Sequence, residues 1–337
     1  MQGEPSSPRT ARAPRVAVAL VVGLALALAP LLSEQSLPAV ELAPYTPRSP
    51  HHAYGFALAG TRLARNPAGL AWLAAGERAV SEPVSVATPY EAAGSFAPGE
   101  AQALGVRFSV PEGRRVRVDV EVDAAAPVEV FVDLFEAADG RAPRPVATLP
   151  PGRFGPGSFT SRALETETVA ATDYIVRLQP ELAAAGHYRL RIRTTPLLVF
   201  PVDGHDIRAI QSGFGAARDG GARAHRGVDI FAARGTPALA AADAWVTRVE
   251  TTPRGGNVVW LQPLFGNMRL YYAHLDTQLV RPGDFVLAGE PVGTVGNTGN
   301  ARTTPPHLHF GVYFRPRGVR GGARDPYPLL AEVASRR

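Results

Sequence analysis

The run His307-Leu-His-Phe-Gly-Val-Tyr-Phe314 is rich in β-branched and aromatic residues and reads as a strand. A period of two puts His307, His309 and Gly311 on one face, while Leu308, Phe310 and Val312 face a core. Gly311 beside the two histidines leaves room on the polar face for a metal or a substrate. The same parity recurs in His225-Arg-Gly-Val-Asp229, where His225, Gly227 and Asp229 share a side opposite Val228 and Ile230. A four-residue gap would also align His225 with Asp229 on a helix. Gly227 and the following Gly235-Thr-Pro237 argue for extended chain instead.

A further histidine stands in Tyr271-Tyr-Ala-His-Leu275, and of the eight histidines in the chain half fall in these three blocks. Four histidines and one carboxylate suffice for the three protein ligands of a catalytic zinc site, with side chains left over for proton transfer. There is no cysteine, which excludes disulfides, a thiol nucleophile and a lipid-modified cysteine. Any such site is therefore built from nitrogen and oxygen donors.

The phrases Gly213-Phe-Gly215, His225-Arg-Gly-Val-Asp-Ile230, Gly235-Thr-Pro237, Tyr272-Ala-His-Leu275, Val292-Gly-Thr-Val-Gly-Asn-Thr-Gly299 and Pro306-His-Leu-His-Phe310 occur in one order. Over residues 205–328 this pattern resembles the lysostaphin/LytM-type peptidoglycan metalloendopeptidases. The resemblance implies the duplicated hybrid motif fold and one Zn2+ per chain. It implies His225, Asp229 and His309 as the zinc ligands, and His274 and His307 as the catalytic histidines flanking the metal-bound water. None of the five is substituted. The lead-in Arg302-Thr-Thr-Pro-Pro306 departs from the family's commonest Thr-Gly-Pro, which bears on loop shape and not on the ligands. Asp206, Asp276 and Asp284 are candidates, alongside backbone carbonyls, for orienting the ligand histidines.

The expected fold class is mainly β. Short strand-like runs at Ala244–Glu250, Asn257–Gln262, Met268–Tyr272 and Phe285–Leu287 are punctuated by Gly255-Gly256, Phe265-Gly-Asn267 and Pro282-Gly-Asp284. They predict a C-terminal antiparallel metallopeptidase domain, residues 197–337, with an open groove over one face. The stretch Val280–Gly293 also resembles the hairpins of biotinyl and lipoyl carriers. Those need a lysine at the tip, and all 35 basic residues here are arginine. Upstream, Val106, Phe108 and Val110, the valines 116, 118, 120 and 122, Val128 to Leu134, and Tyr188, Leu190 and Ile192 alternate with polar residues. They predict a β-sandwich-like accessory domain over residues 84–196, with Gly140 to Ser161 as a long loop. Residues 36–83 read as a linker, proline-rich from Ser36 to Pro50, and a short helical region. In it Asn66-Pro67 opens a helix through about Ala79 with Leu70, Trp72 and Leu73 on its buried face.

Arg9, Arg12 and Arg15 precede the apolar run Val16 to Leu32. Residues 1–35 are thus expected to be a signal peptide or a membrane anchor, and the chain exported to the periplasm or another extracytoplasmic place. Seventeen residues at 1.5 Å each reach ~25 Å, short of the ~30 Å hydrocarbon core, which favours a signal peptide. Proline after Ala27-Leu-Ala29 is poor for cleavage and keeps the anchor reading open. The formal charge of +5 comes without an arginine cluster interleaved with aromatics, so no nucleic-acid partner is expected. The leading expectation is a zinc endopeptidase hydrolysing peptide cross-links of bacterial peptidoglycan. The alternatives are a non-catalytic wall-binding regulator of another hydrolase and a zinc peptidase acting on protein substrates.

Overall fold

A computed structural model describes residues 48–331 except 62–65, 139, 157–159, 169, 266 and 315–321. The run Val16 to Leu32 and the proline-rich stretch up to residue 47 lie outside the described residues. Among the described residues no helix is long and apolar enough to cross a membrane. Helix α1 (Pro50–Ala59) starts at Ser49, whose hydroxyl accepts from the His52 amide. Helix α2 (Pro67–Ser81) starts where sequence places it, with the Asn66 side chain accepting from the Ala68 amide at 3.0 Å and Pro67 in the first turn. Its inward stripe is Trp72, Ala75, Gly76 and Ala79, the i, i+3, i+4, i+7 set of one helical face. Leu70 lies off that stripe and is 55% exposed, contrary to the sequence expectation, while Leu73 is partly buried.

The middle of the chain is a β-sandwich. Ten strands build it: β1 (Val84–Ser85), β2 (Tyr90–Phe96), β3 (Leu104–Val110), β4 (Arg114–Asp123), β5 (Val128–Ala137), β6 (Arg144–Thr148), β7 (Arg153–Phe154), β8 (Thr160–Thr168), β9 (Thr172–Pro180) and β10 (Gly186–Pro196). One sheet runs β1-β3-β9-β5-β6 with β7 also on β5, and the other runs β2-β10-β4-β8. The alternating residues face each other across the gap: Val106 and Phe108 from one sheet, the valines 116 to 122, Leu190 and Ile192 from the other, all essentially inaccessible to solvent. The stretch read as a long loop from Gly140 contains β6 and β7, because Val146 and Phe154 find places against this core.

The helices close one side of the sandwich through an aromatic cluster. Trp72 packs edge-on against Phe131, and His51 stacks on Trp72 with centroids 4.7 Å apart. The indole, Gln179 and His51 are joined by hydrogen bonds. Trp72 Nε1 donates to the Pro180 carbonyl, Gln179 Nε2 donates to the Trp72 carbonyl, and the Gln179 Oε1 lies 2.6 Å from His51 Nε2. Since that oxygen can only accept, His51 Nε2 carries a proton.

Twelve strands follow: β11 (Ile210–Ser212), β12 (Ala217–Arg218), β13 (Arg223–Ala224), β14 (Val228–Phe231), β15 (Pro237–Leu239), β16 (Ala244–Thr252), β17 (Gly256–Pro263), β18 (Met268–Leu275), β19 (Phe285–Val286), β20 (Pro291–Thr294), β21 (His307–Phe314) and β22 (Gly322–Arg324). The main sheet has the order β11-β14-β21-β18-β17-β16-β19, with β22 also on β21. Val228, Ile230, Leu308, Phe310 and Val312 enter its core as their parity requires. The short helix α3 (Tyr327–Leu330) buries Leu329 and Leu330 in the same core. Leu329 also fills the space over Gly113, a turn residue of the sandwich with φ of +72°. The Leu197 amide donates to the Gly113 carbonyl and Arg324 pairs with Glu112, so residues 47–337 form one compact unit.

Burial, followed by the nearby Arg177 charge, outweighs the hydrogen bond to Gln179 and pushes the His51 pKa down to about 4. The unfolded chain takes up this proton near pH 6.5. The stabilisation is therefore complete above pH 6.5 and is lost as pH falls towards 4, by about 3 kcal/mol in all. Urea unfolding across that range is expected to show this loss, and His51→Gln, which cannot titrate, is expected to flatten the slope. An unchanged slope in the variant would place the sensitivity elsewhere.

Candidate metal centre

Antiparallel pairing of β14 with β21 sets Asp229 directly beside His309 and Phe231 beside His307. His225 stands just before β14, after the β12–β13 hairpin. Its amide donates to the Ala216 carbonyl and the Gly215 amide donates back to the His225 carbonyl, which fixes the ring against the sheet. Gly227 between them is required by packing. A Cβ there would come within 2.4 Å of the Phe310 carbonyl oxygen and 2.9 Å of the His309 ring. The vacancy that sequence assigns to Gly311 is otherwise filled: Tyr313, the Arg226 carbonyl and Tyr271 occupy it, so it offers no room for a metal.

Three donor atoms converge. His225 Nε2 lies 2.9 Å from His309 Nδ1 and 3.0 Å from Asp229 Oδ1, and His309 Nδ1 lies 2.9 Å from the same oxygen. His225 Nδ1 faces the Gly213 carbonyl at 2.8 Å, which can only accept, so Nδ1 carries the hydrogen and Nε2 keeps its lone pair towards the other two. A triangle of donors with ~3 Å edges is one that metal–ligand bonds of ~2.0–2.2 Å span, and two imidazoles with one carboxylate are a zinc-type donor set. The residues present therefore fit that ion.

Arg218 supports the triangle from behind, and sequence reasoning missed it. Its Nη2 donates at 2.6 Å both to Asp229 Oδ2 and to the Ser212 hydroxyl. The same nitrogen is 3.1 Å from His225 Nδ1, but both are donors once Gly213 is served, so no hydrogen bond forms there. Burial alone would raise the Asp229 carboxyl; when no ion takes the His225 and His309 lone pairs and the rings are protonated, their hydrogen bonds and charges outweigh burial and hold the group well below the usual carboxylate range. An ionised carboxylate is what a cation site needs. Arg218 gave no signal in the sequence because it reaches the site through the β12–β13 hairpin, not through strand parity.

The two remaining histidines stand beside this triangle, His307 two residues before His309 on β21 and His274 with its ring 5.9 Å from that of His309. His274, the last residue but one of β18, has φ of +62°, a left-handed conformation that costs a non-glycine residue about 1 kcal/mol. Its amide donates to the Gly255 carbonyl at 2.7 Å and its Nδ1 to the Thr298 carbonyl at 2.9 Å. His307 Nδ1 donates to the Pro305 carbonyl at 2.9 Å, and its ring stacks on Phe231. Each thus keeps Nε2 for the groove, and the two rings are 5.1 Å apart. Burial first, then the charges of His309 and His307, push the His274 pKa down to about 4. The groove is a cavity of about 820 Å³ that all five residues line, together with Trp260, Tyr271 and Tyr313.

The orienting groups are backbone carbonyls and Arg218, not the three aspartates proposed from sequence. Asp206 caps the turn at Ile207 and pairs with Arg208. Asp276 pairs with Arg234, and Asp284 accepts from the Arg281 amide. Each is claimed by its own turn or by a neighbouring arginine.

An antiparallel sheet with a His/Asp/His triangle and two further histidines in one groove is the arrangement of a metallopeptidase-type unit. Residues 223–325 match the sequence profile of Peptidase family M23, and through this segment the chain belongs to that family, in its lysostaphin/LytM-type branch. The peptidoglycan DD-endopeptidase ShyC of Vibrio cholerae is 37% identical over 124 residues, covering 34% of this chain and 28% of the relative. The L-Ala–D-Glu endopeptidase of Bacillus subtilis is 33% identical over 139 residues, covering 39% and 42%. The catalytic domain of lysostaphin from Staphylococcus simulans is 32% identical, with 37% of this chain and 96% of that domain covered and a TM-score of 0.33. The chain thus spans less than half the length of these two curated relatives.

His309→Ala is expected to abolish stoichiometric zinc binding, measured by metal analysis after dialysis. Arg218→Ala is expected to weaken it by roughly 10- to 100-fold in a chelator competition, with unchanged circular dichroism. Unaltered zinc affinity in the latter variant would remove Arg218 from the site.

Proposed function

We propose that this chain is a zinc-dependent endopeptidase that hydrolyses peptide cross-links of bacterial peptidoglycan outside the cytoplasmic membrane. The observation that carries the reading is the convergence of three donor atoms beside two histidines with free Nε2 atoms in one open groove. His225, Asp229 and His309 hold the zinc ion, one per chain. When bound, zinc acidifies a water ligand and polarises the scissile carbonyl.

The protein's own groups supply the rest. Arg218 and the Gly213 carbonyl keep the carboxylate and the His225 ring aimed at the common centre. His274 and His307, each fixed by a backbone carbonyl at Nδ1, offer Nε2 to take a proton from the nucleophilic water and to donate to the oxyanion or the leaving amine. Phe231, stacked on His307, keeps that ring from turning. The substrate assignment draws on relatives named for wall endopeptidase activities. Export rests on the arginine-flanked apolar run at the N-terminus.

The test is zinc content and release of muropeptides from purified peptidoglycan. One zinc per chain with chelator-sensitive cleavage is the expected result; zinc with no cleavage of wall material would sink the substrate assignment. His307→Ala is expected to keep its zinc and lose turnover by ~10²–10⁴-fold. Loss of the metal in that variant would make His307 a ligand.

A further inference from the structure

The groove that carries the donor triangle is strongly basic. Among its lining residues are four arginines, Arg218, Arg223, Arg226 and Arg254, and one carboxylate, Asp229. Asp229 is already committed to Arg218, His225 and His309, so it offsets nothing further along the groove. Elsewhere arginines are commonly paired: Arg107 with Asp173, Arg117 with Asp119 and Glu165, Arg177 with Asp133, Arg234 with Asp276. Arg226 and Arg254 form no ion pair among the described residues, and both are exposed.

Their backbones are anchored to the strands that carry the chemistry. Arg226 lies between His225 and Gly227, and its carbonyl packs against Gly311 of β21. Arg254 sits in the β16–β17 turn, where its carbonyl accepts from the Asn300 amide and the next residue's carbonyl accepts from the His274 amide. The backbone of one arginine thus adjoins His225 and β21, that of the other adjoins His274, and both residues line the same groove. A guanidinium is a planar, permanently charged fork that matches a carboxylate. An uncharged chain offers such forks only neutral carbonyl acceptors, whereas a peptide with free carboxyl groups near the scissile bond offers both a stronger, charge-assisted pair.

Resting on the peptidase reading above, we propose that the groove selects an anionic peptide, with Arg226 and Arg254 as the residues that bind substrate carboxylates. Wall stem peptides with free side-chain or α-carboxyl groups are then the substrate class, and uncharged glycine bridges are not. The field of the groove also steers such peptides in, so the preference weakens as salt screens it.

The test compares three synthetic substrates with the zinc-loaded full chain: a cross-linked stem-peptide dimer with free carboxyls, the same dimer with those carboxyls amidated, and a glycine-bridged peptide. The free-acid dimer is expected to exceed both others at least tenfold in kcat/KM, and the margin is expected to shrink with ionic strength. Arg226→Gln and Arg254→Gln should each cut it by roughly tenfold through KM, with partial recovery in the lysine variants. Equal or faster cleavage of the amidated or glycine-bridged peptide would overturn this inference and leave the peptidase reading standing. Calorimetric binding of the same peptides to the zinc-loaded His307→Ala protein decides the point without turnover. Preferential binding of the free acid supports the inference even if no peptide is cleaved, and equal binding of the amidated form refutes it.

Discussion

The pairing of Asp229 with His309 across β14 and β21 is the constraint on which the site depends. Its register is set from the other side of the sheet. Val228, Ile230, Leu308 and Phe310 have no accessible surface, and a one-residue slip would turn Asp229 and His309 into that core and expose the four apolar side chains. The forces that fold the sheet therefore also place the polar donors. Burying a carboxylate there is costly, and it stays ionised because two imidazoles and the Arg218 guanidinium face it.

Four of the five candidate residues divide by how they are held. Asp229 and His309 sit within strands and inherit the rigidity of the sheet, with Gly227 allowing the ring of His309 to lie close to the chain. His274 and His307 stand at strand ends and are fixed by carbonyls of adjacent loops. The left-handed backbone of His274 is supported by tight glycine packing nearby. At Gly256, for example, a Cβ would collide with the Thr298 hydroxyl, and at Gly296 with the backbone of Asp276. Strain at such a position is tolerated because the surrounding hydrogen bonds over-determine it.

The sandwich is more than a tether to this unit. Leu329 closes the core of the second sheet while resting on the Gly113 turn of the first part, and Arg324 reaches back to Glu112. On its far side the sandwich is closed by the His51, Trp72 and Phe131 cluster, in which the indole and Gln179 donate to backbone carbonyls of neighbouring elements. Each join combines apolar burial with a satisfied polar group, which fixes the partners relative to each other as well as stabilising them.

What the sequence by itself determined was local. Alternation fixed which face of His307–Phe314 is polar, Asn66-Pro67 marked the start of α2, and the residue types in three short blocks supplied the donors. These are legible because strand parity, helix capping and ligand chemistry act over a few neighbouring residues. Only the tertiary structure decided the rest. It set Asp229 opposite His309, brought Arg218 to the carboxylate, filled the space beside Gly311 with tyrosines, exposed Leu70, and drew Asp206, Asp276 and Asp284 into other contacts. It also gathered arginines from separate segments, Arg218 to Arg226 and Arg254, into one groove. Such outcomes depend on register and on contacts between segments far apart in the chain, and no short-range pattern encodes them.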